Sequence, residues 1–101
     1  MPIFIIMSCC YILISEKFSR FYWGSTELQP EMRLEMHNKQ HYGNTKYTAK
    51  TNDWELFLVI DCIDIAKAQK IERYIKRMKS QKFIKKLKVD DKRVQWLLDN
   101  I

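Results

Sequence analysis

The sequence points to an α+β domain: a small three-stranded antiparallel sheet flanked by helices, in the order β-β-α-β-α-α. Two β-forming runs, Cys9–Ile14 and Arg20–Thr26, are separated only by Ser15–Ser19, a spacing suited to a hairpin. A third β-forming run comes at Trp54–Ile60. From Asp64 onward the apolar residues recur every three to four positions, the period of a helix with one buried face.

Cys9 to Ile14 is continuously apolar, as expected of a strand covered on both faces. Residues 2 to 7 either lengthen that strand or form a loose extension. Ile3 to Ile14 is apolar apart from Ser8, close to the length of a signal-peptide core. It lacks a preceding basic residue and a small-residue cleavage site, and it is too short to span a bilayer, so the end of it reads as a buried strand. Arg20 to Thr26 is the aromatic second strand.

Leu28 to Asn38 reads as a short helix with Pro30 in its first turn, where proline is tolerated. Met32, Leu34 and Met36 give it no clean apolar stripe. Asn38 to Asn52, with Gly43, reads as a polar loop in which Lys46 and Lys50 flank Tyr47 and Thr48. Asp64 is a candidate N-cap for a helix whose stripe is Ile65, Ala68, Ile71, Ile75 and Met78. Another helix follows Ser80, with Phe83, Ile84 and Leu87 as its apolar face. Asp90 to Ile101 has the composition of one more, carrying Val94, Trp96, Leu97 and Leu98.

The 101 residues amount to one domain, and with nearly half of them apolar they can bury a small core. Only two glycines and two prolines, with 30% charged residues, exclude a collagen-like or low-complexity chain. Three cysteines, two of them adjacent, show no metal-ligand spacing and read as buried thiols of a cytoplasmic protein.

Eighteen basic residues against 12 acidic give a net charge of +6. The excess is localised: Cys62–Lys88 holds ten Lys or Arg and only Asp64 and Glu72 as acids. This is either the solvated face of two helices or an electrostatic footprint for phosphates. Lys76, Lys79 and Lys82, with Lys46 and Lys50, are the candidate nucleic-acid contacts. Glu72 lies among these bases at the edge of the apolar stripe. On pattern alone it fits a salt-bridge hub first, with a hard oxygen ligand for a divalent cation beside a phosphate as the alternative.

Four features occur in order: Cys10-Tyr11-Ile12 in the first strand, Tyr22-Trp23-Gly24 eleven residues later, a helix with Arg33 and His37 four apart followed by Asn38, and a later helix with Glu72. This ordered set resembles the GIY-YIG nuclease family in its small single-domain bacterial form, from about Cys9 to Leu87. Lys46-Tyr47-Thr48, the stretch Asn52-Asp53-Trp54-Glu55-Leu56 and the pattern from Ala68 to Ile84 resemble the later half of those proteins. The implied division is a nuclease domain at 9–88, an extension at 1–8 and a tail or helix at 89–101. Two departures stand out: cysteine precedes the first motif tyrosine, where glycine or a small aliphatic is usual, and Trp23 occupies the middle of the second motif, where Ile or Val is usual.

The resemblance implies metal-dependent hydrolysis of DNA phosphodiester bonds, with structured or damaged DNA and a role in DNA repair as expectations. It assigns Tyr11, Tyr22, Arg33, His37 and Glu72 to catalysis, Glu72 also holding Mg²⁺ (or Mn²⁺). No membrane and no small-molecule cofactor are expected. Such cleavage needs an activated water, charge relief on the phosphoryl oxygens and help for the leaving oxygen. A planar guanidinium suits the phosphate, and a single carboxylate plus waters suits Mg²⁺. A phenol with an ordinary pKa near 10 requires help to act as base, from nearby positive charge or from His37. Either tyrosine fits that role. Gly24 is expected to let backbone approach the substrate.

Two other classes fit the same residues. One is a noncatalytic nucleic-acid-binding module of the same fold; the other is an interaction protein docking through Trp96-Leu97-Leu98.

Overall fold

The computed structural model describes residues 8–39 and 53–101. Lys46 and Lys50 lie outside the described residues. Strands β1 (Ser8–Ser15), β2 (Arg20–Thr26) and β3 (Glu55–Cys62) form one antiparallel sheet in the order β2-β1-β3, so the apolar first strand is central. Its continuous apolarity has the expected cause. Cys10 and Ile12 are buried in one core, while Cys9, Tyr11 and Leu13 are buried in a second on the other face.

Helix α1 (Pro30–Asn38) contributes to the second core through Leu34 and the buried His37. Helices α2 (Ile65–Met78), α3 (Gln81–Val89) and α4 (Asp91–Asn100) close the first core with Ile71, Ile75, Ile84, Leu87 and Leu97. The α+β architecture and its element order are those the sequence predicts, with the final stretch also helical.

The boundaries follow local chemistry. Helix α1 starts at Pro30 rather than Leu28, because a residue before proline is pushed out of the helical region; Gln29 has ψ 136°. β3 runs two residues beyond Ile60, since Asp61 and Cys62 pair with Cys9 and Ser8. Between Ile12 and Leu13 the register slips, leaving Phe57 without a partner on β1. Phe57 and Leu58 consequently both pack on the first core, where Phe57 meets Phe21 edge-on at 5.1 Å.

Asp64 caps α2 by accepting from the Lys67 amide at 2.8 Å, as expected. Lys79, in the left-handed region at φ 48°, ends that helix, and Ser80 caps α3 through the Phe83 amide at 3.1 Å. Asp90 alone joins α3 to α4, ending one and capping the other through the Lys92 and Arg93 amides. The Trp96-Leu97-Leu98 trio is not a continuous exposed patch. Leu97 is buried and Leu98 packs on the first core, which leaves Trp96 half exposed.

Candidate active site

On β2 successive side chains alternate between the two faces of the sheet. Tyr22 and Gly24 share the α1 face, opposite Leu13 and Tyr11 of β1 in the strand register. Tyr11 is fully buried, and its hydroxyl is 3.0 Å from His37 Nε2. The Tyr22 ring is 4.8 Å from the His37 ring and 6.4 Å from that of Tyr11. Of the two phenols Tyr22 is the one with solvent exposure.

Gly24 makes room for a neighbour within the protein. A Cβ on this residue would stand 2.8 Å from the Tyr11 hydroxyl oxygen, closer than such atoms approach. The space a side chain would occupy is filled by the Tyr11 phenol, which lies across the edge strand. The glycine is required by the protein's own tyrosine.

Helix α1 supplies Arg33 and His37 one turn apart. Only 2% of His37 is exposed, and burial together with the Arg33 charge pushes its pKa from 6.5 down to about 4. The imidazole is therefore neutral at pH 7, able to hold one proton and accept one hydrogen bond. Asn38, the last residue of α1, accepts from the Trp54 amide at 2.8 Å and donates to the Trp54 carbonyl at 2.9 Å. This two-way clasp fixes the C-terminal end of α1 against the start of β3.

Glu72 reaches β2 from the opposite face. Its Oε1 accepts from the Ser25 hydroxyl at 2.7 Å, and its Oε2 lies 2.7 Å from Lys76 Nζ. Tyr11 thus lies over Gly24 on one face while Glu72 is bound to the next residue, Ser25, on the other. The two approaches meet at consecutive positions of the outermost strand. Tyr11, Tyr22, Arg33 and His37 cluster together, and Glu72 joins them only around this sheet edge.

Ser25 was absent from the sequence-based set, although a signal existed: with Tyr22 and Gly24 on one face, alternation sends Ser25 to the other, toward α2. The motif departures lie on that face too. Cys10 is buried against the first core and Trp23 packs on it, away from the phenols. The Trp23 Nε1 is buried with no hydrogen-bond partner among the described residues, a cost on the order of 1–3 kcal/mol. Burial raises all three thiols, Cys9 to about 11, as inert core cysteines require.

Lys76, Lys79 and Lys82 are exposed. Lys76 and Lys79 line a groove of about 310 Å³ beside Trp23 and Ser80. No cluster of three or more His, Cys, Asp or Glu side chains suited to a metal occurs among the described residues, nor is any of their helices long and apolar enough to cross a membrane.

No curated protein and no solved structure matches the chain. Residues 7–88 match the family model of the GIY-YIG catalytic domain, and the chain belongs to that family of nucleases.

Proposed function

We propose that this GIY-YIG protein is a divalent-metal-dependent endonuclease that hydrolyses DNA phosphodiester bonds through Tyr11, Tyr22, Arg33, His37 and Glu72. The observation that carries the reading is the meeting of the buried Tyr11–His37 pair and the Glu72 carboxylate at Gly24 and Ser25. The catalytic unit spans residues 9–88, with 1–8 and 89–101 outside it. Three buried free thiols are consistent with a cytoplasmic setting.

The donor set fits a small hard cation. Glu72 and the adjacent Ser25 hydroxyl offer oxygens only, few enough to suit Mg²⁺, or Mn²⁺, with most of its waters retained. The Glu72 carboxylate already attracts one cation, the Lys76 ammonium. When bound there, the metal supplies charge stabilisation at the scissile phosphate. Arg33 holds a phosphoryl oxygen with its guanidinium fork. Neutral His37 orients the Tyr11 hydroxyl, and the partly exposed Tyr22 is placed to contact water or phosphate. Lys76, Lys79 and Lys82, with Lys46 and Lys50, bind flanking phosphates.

Plasmid nicking with Mg²⁺ or Mn²⁺ tests this: wild type cleaves, and Glu72→Gln and Arg33→Ala do not. The Lys76–Glu72 ion pair also supports a second reading, a noncatalytic binding module of the same fold. In that case wild type never cleaves DNA, and Glu72→Gln leaves salt-sensitive binding unchanged while charge reversal at Lys76 and Lys79 weakens it.

A further inference from the structure

Between α2, α3 and α4 lies an aromatic cup with no part in the site above. Tyr74 stands 6.2 Å from both Phe83 and Trp96, each pair tilted by more than 50°. The cup has a volume of about 430 Å³, and Lys92 and Arg93 line it. Trp96 is 50% exposed. The Arg77 guanidinium lies 5.9 Å from the Tyr74 ring centre. Among the described residues the acid lining the cup is Asp90, which is engaged in capping α4 and pairs with Arg93 at 3.7 Å. Three π-faces with surplus positive charge make a chemistry for stacking a planar, electron-rich group attached to an anion.

The placement of the cup on α2 tells what that group belongs to. At about 100° per residue, Glu72 and Tyr74 are about 200° apart around the helix and lie at opposite margins of the buried stripe of Ile71 and Ile75. The exposed arc between them carries Lys76, Arg73 and Arg77, in that order. Together with Lys70 these line a groove of about 560 Å³. Both ends of the groove are tied to the sites they adjoin, Lys76 by its ion pair with Glu72 and Arg77 by its position over Tyr74. At a helix radius of 5–6 Å the arc measures about 20 Å.

We propose that Tyr74, Phe83 and Trp96 take up an unpaired nucleobase of a DNA strand whose phosphates run along Lys76, Arg73 and Arg77 from the cleavage position at Glu72. The inference rests on the nuclease reading for the identity of the strand, and it assigns that enzyme a preference for DNA with single-stranded character. Only a base outside the duplex stack offers both faces to such a cup. Lys92, Arg93, Trp96 and Leu97, which line it, are on α4, beyond the segment that matches the family.

The test is equilibrium binding by fluorescence anisotropy, in EDTA so that cleavage plays no part. Fluorescein-labelled blunt duplex is compared with the same duplex carrying a single-stranded tail. Wild type is expected to bind the tailed DNA about ten-fold more tightly. Trp96→Ala removes that preference and leaves blunt-duplex affinity unchanged, and Trp96→Phe restores most of it. Circular dichroism melts of both variants confirm that they fold. Equal binding of the two DNAs by wild type, or a Trp96→Ala variant that keeps the tail preference, overturns the proposal; the cup is then a surface for another ligand, such as a protein. Because the assay contains no metal, nicking without tail preference sinks this inference alone, whereas tail preference without nicking sinks the catalytic reading alone.

Discussion

The Tyr11 hydroxyl and His37 Nε2 face each other at 3.0 Å where both residues are buried. A hydrogen bond there is sheltered from competing water, and it links the central strand to α1. Its state depends on His37 remaining neutral. The histidine pKa is depressed in the folded protein, so the unfolded chain binds the proton more readily between pH 6.5 and about 4. The stability contributed by neutral His37 is fully present above pH 6.5 and is lost as pH falls toward 4, by an amount on the order of 3 kcal/mol. Urea unfolding at pH 7, 5.5 and 4.5 is expected to show this decline in wild type and a shallower one in His37→Gln.

Removing the Tyr11 oxygen while keeping its ring separates chemistry from packing. Tyr11→Phe is expected to unfold about 1–2 kcal/mol more easily, the range for a lost buried hydrogen bond. Its cleavage rate should fall by about 10²-fold or more, as for loss of a positioned acid–base group. Denaturant melts paired with single-turnover nicking measure the two effects on the same preparation.

Gly24→Ala places a methyl 2.8 Å from the phenol oxygen, too close for both to stay where they are. Tyr11 is fully buried, and a shift of its hydroxyl away from the methyl changes its 3.0 Å contact with His37. Cleavage is expected to drop by at least ten-fold, while DNA affinity measured in EDTA stays within about two-fold; a 1 Å displacement of a reacting group is enough for such a loss. Nicking rates and anisotropy titrations of this variant check both statements.

Ser25→Ala leaves the Glu72 carboxylate in place but removes the hydroxyl that holds it. Groups that orient a metal ligand are worth about 10–100-fold in metal affinity. The half-saturating Mn²⁺ concentration for nicking should rise by that order, with the rate at saturating metal changed much less. A metal titration against wild type decides it.

Asn38→Ala opens the clasp on Trp54 and strands one amide and one carbonyl of the chain entering β3. Loss of about 2–3 kcal/mol is expected from two unsatisfied backbone groups that are partly buried. Thermal melts followed by circular dichroism measure this, and Asn38→Asp, which keeps only the acceptor, should fall between the two.

The sheet was legible in the sequence because apolar continuity and alternation directly report burial, as Cys9–Ile14 shows. Helices α2 and α3 were legible for the same reason, and their caps Asp64 and Ser80 carry recognisable chemistry. Helix α1 was harder to read, since the residue it buries most deeply is a histidine rather than an aliphatic, and its apolar residues form no stripe. The slip at Phe57 left no trace because a bulge moves side chains between faces without changing composition. As for the site, the order of the motif residues indicated which side chains to consider. It did not reveal that Glu72 comes from the other face of the sheet, nor that Gly24 is complementary to Tyr11. Both are cross-strand relations, fixed by register rather than by spacing along the chain.

Asp90 is the whole connection between α3 and α4, its backbone closing one helix and its carboxylate opening the next. A joint of one residue gives α4 little reach, and Leu97, buried in the first core, anchors that helix there. The last helix is therefore carried as a rigid arm, and whatever rests against Trp96 meets walls already at their final separation, with little ordering left to cost it affinity.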